Sequence, residues 1–457
     1  MEEQKIYFVI DMKTFFASVE CAERNLNPFE TNLVVADEKR SKGTVCLAIT
    51  PKMKALGIRN RCRLYEIPQN IDFIIAKPRM KKYIEYAANI YEIYLQYIDK
   101  NDIHIYSIDE CFIDATSYIK FYKTTPKAFA QKLMNEIKEK LKIPSTCGIG
   151  TNMFLAKIAL DLTAKKTKDG IGFLDETKFR KELWTHRPIT DFWQISTGIA
   201  NRLERYGIYD MKGITEIQED FLYKEFGVNA ELLIDHAFGK ETCEISDIKK
   251  YKSKSKSFGS SQILPCNYSY IDSIIILKEM LQNGCYDLVK NGYVAQGLYI
   301  SIGYGDSKQN ETHGTIKLGA LTNLYSIVEE KALLLFDKIV NKEIPIRKIG
   351  FTFTNLLPEE NESYDLLTDL RKVKKEKNLT KSVISIQNKF GKNSLLKGID
   401  LNEKATQKER NNMIGGHNGW KGKNVKRDES KTIYAVWFIK RSSRGASRKR
   451  NWTWKQS

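Results

Sequence analysis

Hydrophobic positions along the first 165 residues come in two periods. Short apolar runs of strand length occur at KIYFVI (5–10), NLVVA (32–36), VCLAI (45–49), DFIIA (72–76) and STCGIG (145–150). Between them, apolar residues recur every three or four positions. This predicts helices over FFASVECAERN (15–25), PKMKALGI (51–58), 79–98, PKAFAQKLMNEIKEKL (126–141) and NMFLAKIALDLTAKK (152–166). In 79–98 one stripe holds Tyr83, Ala87, Ile90, Tyr91, Tyr94 and Ile98, a packing face. Pro51 and Pro126 open two of these helices and Asn152 caps a third. IHIYS (103–107) and CFIDA (111–115) read as two strand halves around a two-residue turn, Asp109–Glu110. Strands alternating with helices around one hairpin predict a helix-backed sheet of mixed direction, not a parallel Rossmann sheet.

After about residue 168 the pattern becomes helical. DFWQISTGIANRLERYGI (191–208) reads as a helix, a tight turn at Gly198, a second helix and a glycine stop. CEISDIKKYKSKSKS (243–257) is polar and rich in Lys and Ser, the composition of a linker. Residues 257–355 then run strand, helix (270–290), strand, strand, helix (323–340), strand. That βαββαβ order fits one compact α+β domain. Beyond residue 359 the pattern weakens, with one helix candidate at SVISIQNKFGKNSLL (382–396).

A chain of 457 residues suits about two to four domains. Its formal net charge of +18 points to a polyanion, nucleic acid before an acidic membrane surface; a Lys-rich solvated surface is the alternative. Residues 421–457 hold twelve Lys or Arg and two acids, a basic tail. The eight cysteines include no C-x-x-C pair and the five histidines are not grouped with them, which argues against a zinc site and a disulfide framework. The N-terminus is acidic and then strand-like, unlike a signal peptide, and no apolar run approaches a membrane span. A soluble, cytoplasmic protein with reduced thiols is expected.

Against this basic background the acids at YSIDECFID (106–114) stand out. If the hairpin carrying Asp109 and Glu110 lies beside the strand that ends at Asp11, the carboxylates meet at one sheet edge. Clustered carboxylates repel unless cations intervene, and hard oxygen ligands suit Mg²⁺. Two such ions about 4 Å apart serve in-line attack on a phosphoryl group. The alternative is a pair of turn acids at a solvated hairpin tip. The apolar flanks and the second acid at a strand end favour the metal reading.

DMKTFFASVE (11–20), YSIDECFID (106–114) and GIGTNMFLAKIALDLTAKK (148–166), in that order and spacing, resemble the signatures of Y-family lesion-bypass DNA polymerases. The branch most similar is the UmuC-like one of Gram-positive bacteria, their phages and plasmids. The resemblance covers roughly residues 1–355, and a later stretch from SIQNKFGKNSLL onward is similar to the end of the same branch. It implies an α+β multidomain, right-hand polymerase. The ferredoxin-like palm would be 1–33 and 68–165, the small fingers 34–67, and the helical thumb, with a helix-hairpin-helix, 166–240. A basic linker at 241–256, a βαββαβ little finger at 257–355 and a partly disordered C-terminal tail at 356–457, basic at 421–457, would follow.

The resemblance also implies roles. Asp11 and Asp109 would bridge two Mg²⁺ ions, for which Mn²⁺ can substitute. Glu110 would complete the primer-side site and the Met12 carbonyl would add a ligand. Phe16 matches the aromatic steric gate, with Phe15 beside it, and Lys54 and Lys165 would reach the triphosphate of a dNTP. Two departures are Lys13, where many relatives carry an acid, and Pro51, where a Tyr is usual. Outside the family match, the two lysines read equally as solvated helix residues and the paired Phe as core.

ISTGIANRL resembles a helix-hairpin-helix turn, whose Gly198, Ile199 and Ala200 would offer backbone N–H groups to a phosphate. Lys252, Lys254 and Lys256 would track the backbone of primer–template DNA, making binding salt-dependent. Leu366 and Leu367, in SYDLLTDL, occupy the place of a sliding-clamp peptide, or else an amphipathic turn in a connector. The expectation is a monomeric, low-fidelity, template-directed DNA polymerase of translesion synthesis. The alternatives are a catalytically silent DNA-binding relative and a metal-dependent nuclease or cyclase.

Overall fold

The computed structural model describes residues 4–38, 43–253, 256–306 and 308–419. They fall into two compact units, one ending at Tyr251 and one beginning at Lys252. Among the described residues no helix is long and apolar enough to cross a membrane.

The first unit begins β1 (Tyr7–Met12), α1 (Phe15–Ala22), β2 (Leu33–Val35), β3 (Ala48–Ile49), α2 (Pro51–Ala55), β4 (Ile74–Ala76), α3 (Met80–Leu95), β5 (Ile103–Ile105), β6 (Glu110–Asp114), α4 (Thr116–Phe121) and α5 (Pro126–Leu141). It continues β7 (Ser145–Gly150), α6 (Met153–Ile158), β8 (Ile171–Leu174), α7 (Glu176–Glu182), α8 (Thr197–Glu204), α9 (Met211–Thr215), α10 (Glu219–Phe226), α11 (Asn229–Ala237) and α12 (Ile245–Lys250). The main sheet has the order β5-β6-β1-β7-β8, antiparallel except for β7 beside β8, so its direction is mixed as expected. β1 is covered on both faces: Phe8 meets Phe129 of α5, while Tyr7 and Val9 pack with Met153 and Ala156 of α6. Burial on both sides is why this strand reads as a continuous apolar run.

Helix α6 lies against β7 with no room between them. A Cβ at Gly148 would sit 2.1 Å from the Ala156 carbonyl oxygen, and one at Gly150 would sit 2.2 Å from the Ala156 nitrogen. The Asn152 side chain accepts from the Leu155 N–H, the cap expected from sequence. The helix does not run evenly to residue 166, however. It widens into a π-type turn over Ala159–Thr163 and tightens into a 3₁₀ turn over Ala164–Lys166. A Cβ at Gly172 of β8 would lie 2.6 Å from the Ala159 carbonyl oxygen, so the widened turn is wedged against the sheet.

Three further expectations are corrected. The acid hairpin is not closed by a two-residue turn. Tyr106 to Asp109 form the loop, the N–H groups of Tyr106 and Ser107 both donate to the Glu110 carbonyl, and Glu110 is already in β6. Gly198 is not in a turn but in the first turn of α8, where the Ser196 carbonyl accepts from Ile199 and Ala200. Within the stretch read as a linker, Ile245–Lys250 forms α12, because Ile245 is buried beside Tyr7 and Phe112 and Glu244 and Asp247 close a capping box.

The second unit contains β9 (Phe258–Tyr268), α13 (Tyr270–Lys290), β10 (Tyr293–Tyr304), β11 (Thr312–Thr322), α14 (Tyr325–Ile339) and β12 (Ile346–Thr354), the βαββαβ order read from sequence. Its sheet runs β11-β10-β12-β9, all antiparallel. Within the stretch expected to be a partly disordered tail, residues 356–419 are folded, with α15 (Leu370–Phe390) and α16 (Gln407–Arg410). Polar contacts, invisible to a hydrophobic pattern, fasten this segment. The buried Glu279 carboxylate of α13 accepts from Thr406 N and Gln407 N at 2.8 and 2.7 Å, and Tyr268 donates to the Lys404 carbonyl at 3.0 Å. The basic stretch 421–457 lies outside the described residues.

Burial pushes the Glu279 carboxyl up to about 7, against the N–H donors that pull it down. Between the ordinary value of 4.5 and about 7, the folded unit holds a proton that the unfolded chain has lost. Stability therefore falls as pH rises through that window. Urea midpoints at about pH 5 and about pH 7.5 should decline more in the native chain than in Glu279→Gln, which has nothing to titrate at that position. Equal declines would show that the carboxyl contributes nothing to the slope.

Candidate active site

The register of β1 fixes where the acids go. Asp11 stands opposite Glu110 of β6 and Thr146 of β7, and the Met12 N–H donates to the Asp109 carbonyl at 2.9 Å. Asp11 therefore shares one sheet edge with the adjacent pair Asp109 and Glu110, from which it is distant in sequence. Burial, then Asp109 and Glu110, raise the Asp11 carboxyl to about 8. Burial is also what raises Glu110, opposed by Lys157. Ser107 Oγ donates to one Asp109 oxygen, and Lys157 Nζ lies 2.7 Å from Glu110 Oε1. Among the described residues no three His, Cys, Asp or Glu side chains converge closely enough to cage an ion. The acids are gathered, but two of them are held by protein groups.

Cations face this edge from two elements. Lys54 of α2 is exposed; partial desolvation lowers its affinity for a proton, the Asp11 charge raises it and the Lys165 charge lowers it. Lys165 is exposed, with Nζ 3.2 Å from Asp161. Pro51 starts α2 after the extended Thr50 and carries no hydroxyl to offer. Lys13 donates its backbone N–H to the Pro144 carbonyl, and its ammonium lies 5.9 Å from the Phe29 ring centroid.

Phe15 is buried at 2% exposure and Phe16 is half-buried. The chain passes from Asp11 to these rings through Thr14, a β-branched residue at φ 46°, in the left-handed region that costs such residues energy. The turn is pinned by Ser18 Oγ, which donates to the Lys13 carbonyl at 2.6 Å. Below it, the Phe16 ring lies 4.8 Å from that of Tyr83 on α3, and Tyr83 donates to Glu20 at 2.7 Å. Glu20 is fully buried and also accepts from Nε and Nη2 of Arg79, each at 2.9 Å. Burial alone would raise its carboxyl; the hydrogen bonds from Arg79, Tyr83 and Arg24 hold it lower. This network ties α1 to α3 and backs the Phe16 ring. Sequence reasoning misses it, although an acid on the apolar helix ASVECA is a usable signal.

The remaining candidates lie elsewhere. Ser196, Thr197 and Gly198 are exposed at the start of α8, whose first N–H groups have no intrahelical acceptor, while the N–H groups of Ile199 and Ala200 are already used by Ser196. Lys252 and Lys256 are exposed, and Lys256 donates to the Tyr293 hydroxyl at 2.8 Å. Lys254 lies outside the described residues. Leu366 and Leu367 are 104% and 95% exposed, unusual for adjacent leucines.

The chain matches two family models, impB/mucB/samB family over residues 10–161 and impB/mucB/samB family C-terminal domain over residues 255–366. It is 29% identical to a putative UV-damage repair protein UvrX of Bacillus subtilis, over 91% of this chain and 98% of that protein. It is likewise 29% identical to DNA polymerase IV 2 of the same organism, over 91% of this chain and all of that protein (100%). Among solved structures, a Y-family DNA polymerase chimera, Dbh-Dpo4(243-245)-Dbh, has a similar fold, with TM-score 0.62 and 23% identity over 77% of this chain and 99% of that one.

Proposed function

The chain belongs to the impB/mucB/samB family and is a Y-family lesion-bypass DNA polymerase, and on that premise we propose that Asp11, Asp109 and Glu110 are its catalytic carboxylates. It is a DNA-directed DNA polymerase of translesion synthesis, so DNA and deoxynucleotides are its substrates. The observation that carries the assignment is the register, with Asp11 opposite Glu110 and the Asp109 carbonyl bonded to Met12 N–H.

Family identity implies dependence on a divalent metal. The donor set fits a hard ion: it is all oxygen, and Asp11 has a raised affinity for a proton because it is buried among acids. Asp11 and Asp109 would hold two Mg²⁺ ions, Glu110 the one on the primer side, and the Met12 carbonyl would add a ligand. When bound, such ions supply Lewis acidity at the phosphoryl group and at the attacking hydroxyl. Lys54 and Lys165 would neutralise the triphosphate. The sheet of β2, β3 and β4, whose last strand lies beyond the 34–67 expected for the fingers, has strands of two or three residues and would do little to test the shape of a base pair. That supports low fidelity. Gly198 at the start of α8, with Lys252, Lys254 and Lys256, would grip phosphates without reading bases; Ile199 and Ala200, whose N–H groups bond Ser196, would not. The enzyme acts as a monomer in the cytoplasm.

Asp109→Ala should abolish primer extension and leave primer–template affinity nearly intact, because the acid serves metal and not DNA. Extension retained at ordinary Mg²⁺ would remove the two-ion assignment.

Phe16 would exclude a 2′-hydroxyl, and the Tyr83 ring packed 4.8 Å from it supports this reading. Phe16→Ala should raise ribonucleotide incorporation by orders of magnitude while deoxynucleotide incorporation changes less. Phe15→Ala should chiefly destabilise the fold, by about 3–5 kcal/mol. Competitive incorporation by folded variants decides: a selectivity shift in Phe15→Ala alone would reverse the assignment.

The exposed Leu366–Leu367 pair supports docking to a sliding clamp, as apolar side chains held in water favour a partner. Replacing both by Ala should lower processivity only when clamp is present. An equal loss without clamp would argue against docking.

A further inference from the structure

Lys157 has no part in the reading above, and its position is costly. It is on α6, 8% exposed, and a lysine buried to this degree needs partners. It has two: Glu110 Oε1 at 2.7 Å and Asp161 Oδ2 at 3.0 Å. The other Asp161 oxygen, Oδ1, faces the ammonium of Lys165. The groups thus form a row, Glu110, Lys157, Asp161, Lys165, leading from the acid edge to the exposed lysine.

This row explains why gathered acids make no cage. With Lys157 beside it, Glu110 already has a counter-cation, and among the described residues no third donor converges on a common point. A divalent ion that takes the Oε1 oxygen of Glu110 competes with the ammonium for it. Removing a partner from a buried charge is ordinarily severe. Here a second carboxylate, Asp161 at 3.0 Å, stands ready to keep the ammonium paired.

We propose that Lys157 is a positioning residue that holds Glu110 in the metal-free enzyme, competes with the primer-side ion for it, and is received by Asp161 when that ion enters. The proposal rests on the reading of Glu110 as a metal ligand. Asp161 acts through Lys157: the more firmly it draws the ammonium, the more easily Glu110 is released. Neither residue needs to touch nucleotide or primer for this.

The test is Mn²⁺ binding by the full chain without DNA or nucleotide, followed by the loss of the free-ion electron paramagnetic resonance signal. Lys157→Met removes the competitor, and affinity should rise about tenfold or more. Lys157→Arg should restore near-native affinity. Asp161→Asn keeps the chain foldable, since the residue is partly exposed, and has the opposite expectation: Lys157 settles on Glu110 and Mn²⁺ binds more weakly. In the double variant Lys157→Met/Asp161→Asn that weakening should vanish. Unchanged or weaker binding in Lys157→Met overturns the proposal. So does an Asp161→Asn loss that persists in the double variant, because it would then be the acid's own charge that matters. Binding that survives Asp109→Asn would instead show that the acids are not the metal site, and the proposal would fall with that reading.

Discussion

The pairing of β1 with β6 is the constraint on which the rest of the first unit depends. Side chains alternate faces along a strand, so a slip of one residue would turn Asp11 to the other face. Apolar burial on both faces of β1 prevents the slip: Phe8 is locked against α5, Tyr7 and Val9 against α6. Three carboxylates meet at one edge because a hydrophobic core, not any attraction between them, brings them there.

The cost of that meeting is electrostatic, and local groups meet it. The net charge of +18 is spread over the chain and does not itself neutralise buried acids. Lys157, held between Glu110 and Asp161, does so at contact distance, and Lys54 and Lys165 act from nearby. The same logic recurs at Glu20, a buried acid held by Arg79, Tyr83 and Arg24. In both places a buried charge is tolerated because its partners are fixed by the packing of neighbouring elements.

Much of this is legible in the amino-acid sequence. The two hydrophobic periods locate most strands and helices, the Pro and Asn caps locate helix starts, and the acids at strand ends locate the proposed site. Features that depend on three-dimensional company are not legible. Lys157 looks like any helix lysine in LAKIAL, and only the packing of α6 on the sheet places it beside Glu110. Gly198 suggests a turn to any reading of local propensity, yet it is helical because Ser196 starts α8 before it. The segment after residue 355 lacks apolar periodicity and reads as a tail, since Glu279 anchors it by hydrogen bonds from another helix. Chemistry-bearing residues are found when they break a pattern and missed when they conform to one.

The contact of α6 with Gly148 and Gly150 also gives the site a mechanical tolerance. The spacing between that helix and the sheet is set by the absence of two Cβ atoms, each of which would fall about 2 Å from helix backbone. Backbone cannot swing aside as a side chain can. A single methyl at either glycine would have to lift the helix, and Lys157 and the cap at Asn152 would travel with it. The ammonium would leave Glu110 although no group in the acid cluster had changed. Alignment at the proposed reaction centre is thus calibrated by atoms the chain omits, several residues away from the acids themselves.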